Sequence, residues 1–338
     1  MMPASGKGRS AARTRPTSRP RPGTARSTSG PRIPDHPLGR TGKTHPALGL
    51  GLWALGRWTR GDEDRTAATL TRAIARGVRW FDTAEVYGSG RSERLLGDVL
   101  ARSGALDPPP FLATKISWEH LRPGQVRAAL TGSLQRLGRS SVDLYLVHAP
   151  DPHVPITATM TALEALWSEG RIGAIGVSNF TLDDLVKARA ALQRTEVAAV
   201  QVRYNLFDRA DGEAVREYCR REGIVVEAYT PIARGLLAGR YLDGTPPSSE
   251  VRRFAHDLFE GDRFPELVTR GRALQALALR EGVPTASLAL HWLERQGASP
   301  IVGASRPEQV DELLDAWAAK PSDAALDAAE AITRGVRA

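Results

Sequence analysis

From residue 48 onward, short apolar runs alternate with segments of helical period. The runs fall at 48–53, 78–82, 111–116, 142–148, 174–177, 199–202, 224–228 and 300–302. Between and after them, apolar residues recur at three- and four-residue spacing over 62–76, 92–102, 123–137, 155–169, 182–192, 211–222, 265–280 and 285–295, with a last helix starting near Pro307. The runs are continuous rather than alternating, the pattern of parallel strands covered on both faces. Ser92 and Thr181 stand where helix caps belong. Eight strand–helix units with no break in composition predict an α/β fold, a (β/α)8 TIM barrel rather than a doubly wound sheet. Segment 38–46 predicts a small N-terminal β-hairpin plugging the barrel bottom, with Thr41-Gly42-Lys43 as its turn. The stretch 230–264 is Gly- and Pro-rich and too long for a mere connection, so a functional loop is expected there.

Charge divides the chain in two. Residues 1–32 hold eight of the 46 Lys and Arg and no acid; the remaining 38 balance the 38 Asp and Glu. The net charge of +8 therefore belongs to the first segment and does not argue for a nucleic-acid partner of the body. That segment is Pro, Ser, Thr, Gly and Arg with almost no apolar residues, so it cannot offset its chain entropy by burial. We expect a disordered basic tail over 1–35 and a single barrel domain over 36–338. The tail has no apolar core of a secretory signal, and its prolines argue against an amphipathic transit helix. No apolar run reaches the length of a membrane span. The lone Cys219 excludes an internal disulfide and fits a reducing, cytoplasmic setting; its Arg- and Glu-rich surroundings suggest an unreactive thiol.

Chemistry in such a barrel gathers at the C-terminal ends of the strands. Those ends are Trp53, Asp82, Lys115, His148, Ser178-Asn179, Gln201, Tyr229 and 303–306. Three consecutive strands thus end in Asp, Lys and His, with Tyr87 in the loop just past the first. A lysine in a partly apolar mouth needs a counter-ion, and Asp82 on the neighbouring strand can supply one. An ammonium beside Tyr87 favours phenolate, which predicts a phenol pKa lowered toward working pH. His148 can orient a carbonyl. The set polarises a carbonyl and delivers a proton but carries no electrons, so it needs a hydride source.

Asp82, Tyr87, Lys115 and His148, in the contexts Phe-Asp-Thr-Ala-Glu-Val-Tyr-Gly, Ala-Thr-Lys and Leu-Val-His-Ala-Pro-Asp, resemble the catalytic tetrad of the aldo-keto reductases. The likeness extends over 38–314 and includes the motifs at 177–180, 201–205, 228–240 and 302–310. The last two look most like the bacterial branch related to potassium-channel β subunits. The resemblance implies NADPH-dependent reduction of an aldehyde or ketone, with Tyr87 as proton donor and a nicotinamide cofactor held without a Rossmann domain. It places Ser178, Asn179 and Gln201 on the carboxamide and Tyr229 against the nicotinamide ring, with Trp53 and Asp82 at the same rim. Thr230, Pro231, Ile232, Ala233 and Arg240 match the stretch covering the pyrophosphate. Gly303, Ser305, Arg306, Gln309 and Glu312 match the adenosine site. Ser305 and Arg306 precede a helix start, where a cation and free backbone donors can hold a 2′-phosphate, so NADPH is expected over NADH. Leu313 departs from the Asn usual at its position, which puts one adenine hydrogen bond in question.

Three other readings compete. The segment 49–54 fits the dinucleotide fingerprint G-x-G-x-x-A, but no helix opens on it and no acid ends the next strand at the right spacing, so it reads as a glycine-lined rim. His148, Asp151 and His153 lie close together, but the ligands a metal centre needs at other strand ends are missing, so no metal is expected. A nicotinamide-sensing regulatory subunit, with little or no catalysis, is the rival from a different class. Trp118 and the 230–264 loop are expected to shape the substrate pocket together with Trp53.

Overall fold

The computed structural model describes residues 30–53, 63–209, 212–248 and 256–336. Most of the expected tail, the end of the 49–54 fingerprint and part of the 230–264 loop lie outside these residues. Two short strands, β1 (Asp35–Pro37) and β2 (Thr44–Pro46), pair antiparallel ahead of the barrel. The hairpin starts at Asp35, three residues before the expected 38. Its pairing continues beyond the Leu38–Lys43 backbone bond at 2.8 Å.

Eight parallel strands then close on themselves: β3 (Gly49–Gly51), β4 (Trp80–Asp82), β5 (Phe111–Ile116), β6 (Leu144–Val147), β7 (Ile175–Ser178), β8 (Val197–Arg203), β9 (Val225–Tyr229) and β10 (Ala298–Gly303). Each strand pairs with the next in the chain, and β10 closes on β3. The helices following the strands are α1 (Glu63–Ala75), α2 (Arg91–Arg102), α3 (Pro123–Leu137), α4 (Ile156–Ser168), α5 (Leu182–Ala191) and α6 (Glu213–Glu222). A 3₁₀ turn (Ala233–Ala238) and the short α7 (His256–Phe259) occupy the long loop, before α8 (Arg263–Glu281) and α9 (Thr285–Arg295). After α10 (Pro307–Ala318) comes a further helix, α11 (Asp323–Ile332), which the apolar pattern did not predict. Ser322 caps it, accepting from the Ala325 amide at 3.1 Å.

Local chemistry explains most of the boundaries. Thr181 caps α5 as expected, in a reciprocal box with Asp184. Ser92 does not cap α2. That helix starts one residue earlier, from Gly90 in a left-handed conformation, and the buried Ser92 hydroxyl instead meets Thr83 at 2.8 Å. Cys219 is buried in α6, and burial pushes its thiol up to about 12, the protonated and inert form at neutral pH.

The strand residues sort into two cores with a period of two. Phe81, Leu112, Tyr145 and Val147 face the helices. Trp80, Phe111, Ala113, Leu144, Leu146, Ala174, Ala199 and Ile301 fill the barrel, and the buried Leu38 of the hairpin joins them from below. A Cβ on Gly49 would stand 2.6 Å from the Trp80 ring, so glycine is required there for the indole to enter. A Cβ on Gly51 would stand 2.9 Å from Ile301 Cγ2, so packing explains both glycines of the 49–54 pattern without a dinucleotide turn.

His45 of β2 meets Trp80 edge-on at the barrel floor, with ring centroids 5.2 Å apart. Burial, reinforced by His36, pushes its imidazole down to about 4. The unfolded chain binds this proton near 6.5, whereas the folded chain refuses it until about 4. Stability is thus complete above about pH 6.5, falls between there and about 4, and levels off below, for a loss of about 3 kcal/mol. The melting temperature of the wild-type protein should fall across that window, and that of His45→Phe should fall less. Equal slopes in the two proteins would exclude His45 as the source.

Candidate active site

The same alternation that buries Trp80, Ala113 and Leu146 carries Asp82, Lys115 and His148 two residues further, to the top of the barrel interior. There the lining changes from apolar to polar. Lys115 is 0 % exposed. Its Nζ donates to Asp82 Oδ1 at 2.6 Å and to the Thr83 carbonyl at 2.9 Å. Burial alone would push the ammonium down, but Asp82 and Tyr87 outweigh it and the net direction is up. Lys115 is therefore a fixed positive charge. A buried pair of this kind is held by its remaining hydrogen bonds as much as by Coulomb attraction.

Tyr87 leaves the loop after β4 with its ring centroid 5.3 Å from Lys115 Nζ. The His148 ring meets it edge-on at 5.5 Å, and Trp118, 44 % exposed, meets His148 at 6.0 Å. The expectation for the Tyr87 pKa needs correcting. Burial raises it more than Lys115 lowers it, so the phenol stays protonated at neutral pH. Lys115 is the largest of the effects opposing that rise. Burial and Lys115 together push His148 down to about 3, which makes it a neutral imidazole across the physiological range.

Gln201 of β8 ties this group to the opposite wall. Its Nε2 donates to Asp82 Oδ2 and to Glu227 Oε2, each at 2.9 Å. Both amide hydrogens are thereby used, and the carbonyl oxygen is left for a ligand. Asn179, in a left-handed conformation at φ 58°, spans two strand ends: Nδ2 donates to the His148 carbonyl at 2.9 Å, and Oδ1 accepts from the Tyr229 hydroxyl at 2.8 Å. Asn179 Nδ2 also lies 3.1 Å from Ser178 Oγ.

Beyond Tyr229 the chain is strained. Thr230, Ala233 and Arg234 all have positive φ, a conformation that costs non-glycine residues of order 1–3 kcal/mol each. The Asn205 side chain holds the Thr230 carbonyl at 3.0 Å. The Arg234 guanidinium lies 3.9 Å from the centroid of the Trp53 ring. Arg240 reaches Glu312 of α10 at 3.3 Å, linking this stretch to the far wall. Beside it, Gln309 Oε1 accepts from the Ser305 amide at 2.7 Å and lies 3.1 Å from the Ser305 hydroxyl.

One cavity of about 760 Å³ joins these regions, running from Asp82, Tyr87 and His148 to Ser305, Gln309 and Glu312. That size suits a cofactor site. Its lining includes Trp53, Ser178, Asn179, Gln201, Tyr229, Thr230, Pro231, Ile232, Arg240 and Gly303 from the expected set. Ala233 is buried behind the lining, as is Lys115. Arg306 stands outside it, exposed, with Glu308 at 3.8 Å. Leu313 lines the wall and packs into the outer core, leaving an apolar surface there.

Sequence reasoning missed Glu227, Arg234 and the role of Asn205. Glu227 had a signal: it sits two residues before Tyr229 on the inward face of β9, so an acid there had to be buried. Asp151 and His153 are engaged locally, the Asp151 carboxylate accepting from the His153 amide at 2.9 Å. Among the described residues no group of three His, Cys, Asp or Glu is placed to hold a metal ion, and no helix is long and apolar enough to cross a membrane.

Comparison with known proteins agrees with this geometry. The model of the aldo/keto reductase family matches residues 47–334. Aldo-keto reductase YhdN of Bacillus subtilis (strain 168) is 33% identical over 298 residues, covering 84% of this chain and 89% of that protein. The NADH-specific methylglyoxal reductase of Escherichia coli (strain K12) is 32% identical over 318 residues, 85% of this chain and 94% of its own. Among solved structures, the glycerol dehydrogenase AKR11B4 from Gluconobacter oxydans superposes with a TM-score of 0.77 at 29% identity, covering 89% of this chain and 94% of that one. An aldo/keto reductase from Klebsiella pneumoniae, solved with NADP and acetate, gives 0.69 at 27% identity, covering 87% and 94%.

Proposed function

Since the chain belongs to the aldo/keto reductase family of oxidoreductases, we propose that it reduces an aldehyde or ketone with NADPH and that Tyr87 gives the proton. The observation that carries this reading is the convergence of Lys115, Asp82, Tyr87 and His148 at one end of a single cavity. When bound, the nicotinamide cofactor supplies the hydride that no side chain can. The carbonyl oxygen takes its place between Tyr87 and His148, the latter neutral and able to donate a hydrogen bond. Tyr87 releases its proton to the forming alkoxide, and the phenolate left behind is stabilised by Lys115, whose charge Asp82 holds in place.

The same cavity has groups suited to the cofactor. Ser178 and the free Gln201 oxygen offer contacts for a carboxamide, Tyr229 a flat apolar face, and 230–240 a cover for the pyrophosphate. Arg306 at the start of α10 is the cation for a 2′-phosphate, and it favours NADPH. The relatives divide on this point, since one is NADH-specific and one structure holds NADP. Titration of tryptophan fluorescence decides it: NADPH should bind more tightly than NADH. Arg306→Ala should weaken NADPH about tenfold or more while hardly changing NADH, the loss of one charge-assisted contact. Equal loss for both nucleotides would remove Arg306 from phosphate recognition.

The motifs at 228–240 and 302–310 support a place near the potassium-channel β-subunit branch, where a barrel of this type can act as a sensing partner. Turnover of a generic aldehyde separates the enzyme from that role. The barrel, 36–338, suffices for the chemistry in our reading, so removal of residues 1–29 should leave nucleotide affinity unchanged.

A further inference from the structure

Glu227 is fully buried inside the barrel, one strand from Gln201 and across from Asp82. Its two oxygens differ. Oε2 accepts from Gln201 Nε2 at 2.9 Å, whereas the buried Oε1 has no hydrogen-bond partner among the described residues. A buried carboxylate with one oxygen unsatisfied is costly, and such a group keeps its proton instead. Oε1 is then the hydroxyl oxygen and Oε2 the carbonyl. The charged groups around Glu227 are Asp82 on β4 and Lys115 on β5, while the flanking strands bring the neutral Gln201 from β8 and Ser299 from β10.

Glu227 also fixes which way Gln201 points. The amide nitrogen stands between two carboxyl oxygens, and a flipped amide would turn its carbonyl toward both. Asp82 in turn has one oxygen on Gln201 and the other on Lys115. We propose that Glu227, held as a neutral carboxylic acid, is a positioning residue that orients Gln201 and through it Asp82 toward Lys115, and that its ionisation in alkaline solution disables the proton-donating group. The effect on turnover rests on the reductase reading above; the protonation state does not.

The alkaline effect follows from charge. Burial, with Asp82 second, pushes the Glu227 carboxyl up to about 8, with Gln201 and Lys115 opposing. Once ionised, Glu227 adds a second negative charge beside the Asp82–Lys115 pair. Lys115 is then shared between two carboxylates and stabilises the Tyr87 phenolate less, so the phenol becomes a weaker acid.

Two measurements test this on the full chain. The first is infrared titration of the wild-type protein without nucleotide. A protonated-carboxyl band should be present at pH 7, fade by about pH 9 and be missing from Glu227→Gln. Its absence from the wild-type protein at pH 7 would overturn the proposal. The second is kcat/KM for an aldehyde against pH. The wild-type value should fall about tenfold from pH 7 to pH 9, one unit on either side of the carboxyl's value. Glu227→Gln, which keeps the shape and loses the ionisation, should stay nearly flat over the same range. A Glu227→Gln profile that tracks the wild type would overturn the proposal. Glu227→Asp is the second variant: it keeps the ionisation but draws the carboxyl back from Gln201, so it should show a several-fold lower kcat at pH 7 with the alkaline fall retained. Unchanged kcat in Glu227→Asp would contradict the positioning role. An infrared titration as expected, with no turnover of any carbonyl, would sink the reductase reading and with it the positioning role, and would leave Glu227 as a buried acid only.

Discussion

Tyr87→Phe should lower kcat for carbonyl reduction by about 10²–10⁴-fold, the usual contribution of a positioned general acid. The ring of Tyr87 packs against His148 and faces Lys115, and phenylalanine keeps both contacts. Only the hydroxyl is lost, so the fold and the cavity walls persist. NADPH affinity should therefore stay within about twofold, since the proposed nucleotide contacts lie on other residues. The split is informative: loss of kcat with unchanged nucleotide binding identifies a group that acts in the transition state. Direct measurement of nucleotide binding by fluorescence and of single-turnover rates at saturating aldehyde would separate the two. A variant that retains most of its kcat would show that the proton comes from elsewhere, with His148 the next group at the same cavity wall.

Lys115→Met should be damaging in two separable ways. Removing one member of a buried ion pair leaves the other uncompensated, at a cost of about 3–5 kcal/mol. Here Asp82 Oδ1 would lose its 2.6 Å partner while remaining buried. In a domain of this size that corresponds to a fall in melting temperature of roughly 5–10 °C. Turnover should fall as well, because the Tyr87 phenolate loses its stabilising charge. The double variant Asp82→Asn/Lys115→Met distinguishes the effects. The amide introduced by Asp82→Asn is neutral and can still accept from Gln201, so much of the stability should return while activity does not. Recovery of both would show that the lysine serves only the fold. Failure to recover stability would mean that the Lys115 bond to the Thr83 carbonyl matters more than the ion pair.

The two variants probe features that differed in how far the sequence exposed them. Asp82, Lys115 and His148 were legible because each ends a strand, and strand ends converge in any closed parallel barrel. The direction of the Tyr87 shift was not legible. The sequence places an ammonium nearby, but whether burial or charge prevails depends on how closely the walls pack around the phenol. Ser92 illustrates the same limit on a smaller scale. Its type suits a cap, yet the neighbouring Thr83 hydroxyl, nine residues earlier, offers a buried partner and the helix begins without it.

Local pattern was enough to establish the barrel, its eight strand–helix units and the identity of the residues at its rim. Continuous apolar runs, helical period between them and the order of the polar strand ends can all be read along the chain. What those residues do to one another was settled by the closed fold. Gln201 meets Asp82 across 119 positions of chain, and the same amide meets Glu227. Neither contact has a local signature. The left-handed backbone at Thr230, Ala233 and Arg234 likewise follows no residue preference and persists because Asn205, Trp53 and Glu312 hold the segment from outside it. Desolvation, hydrogen-bond partners and backbone strain are all set by which distant groups share a small volume, and that is fixed only when the barrel closes.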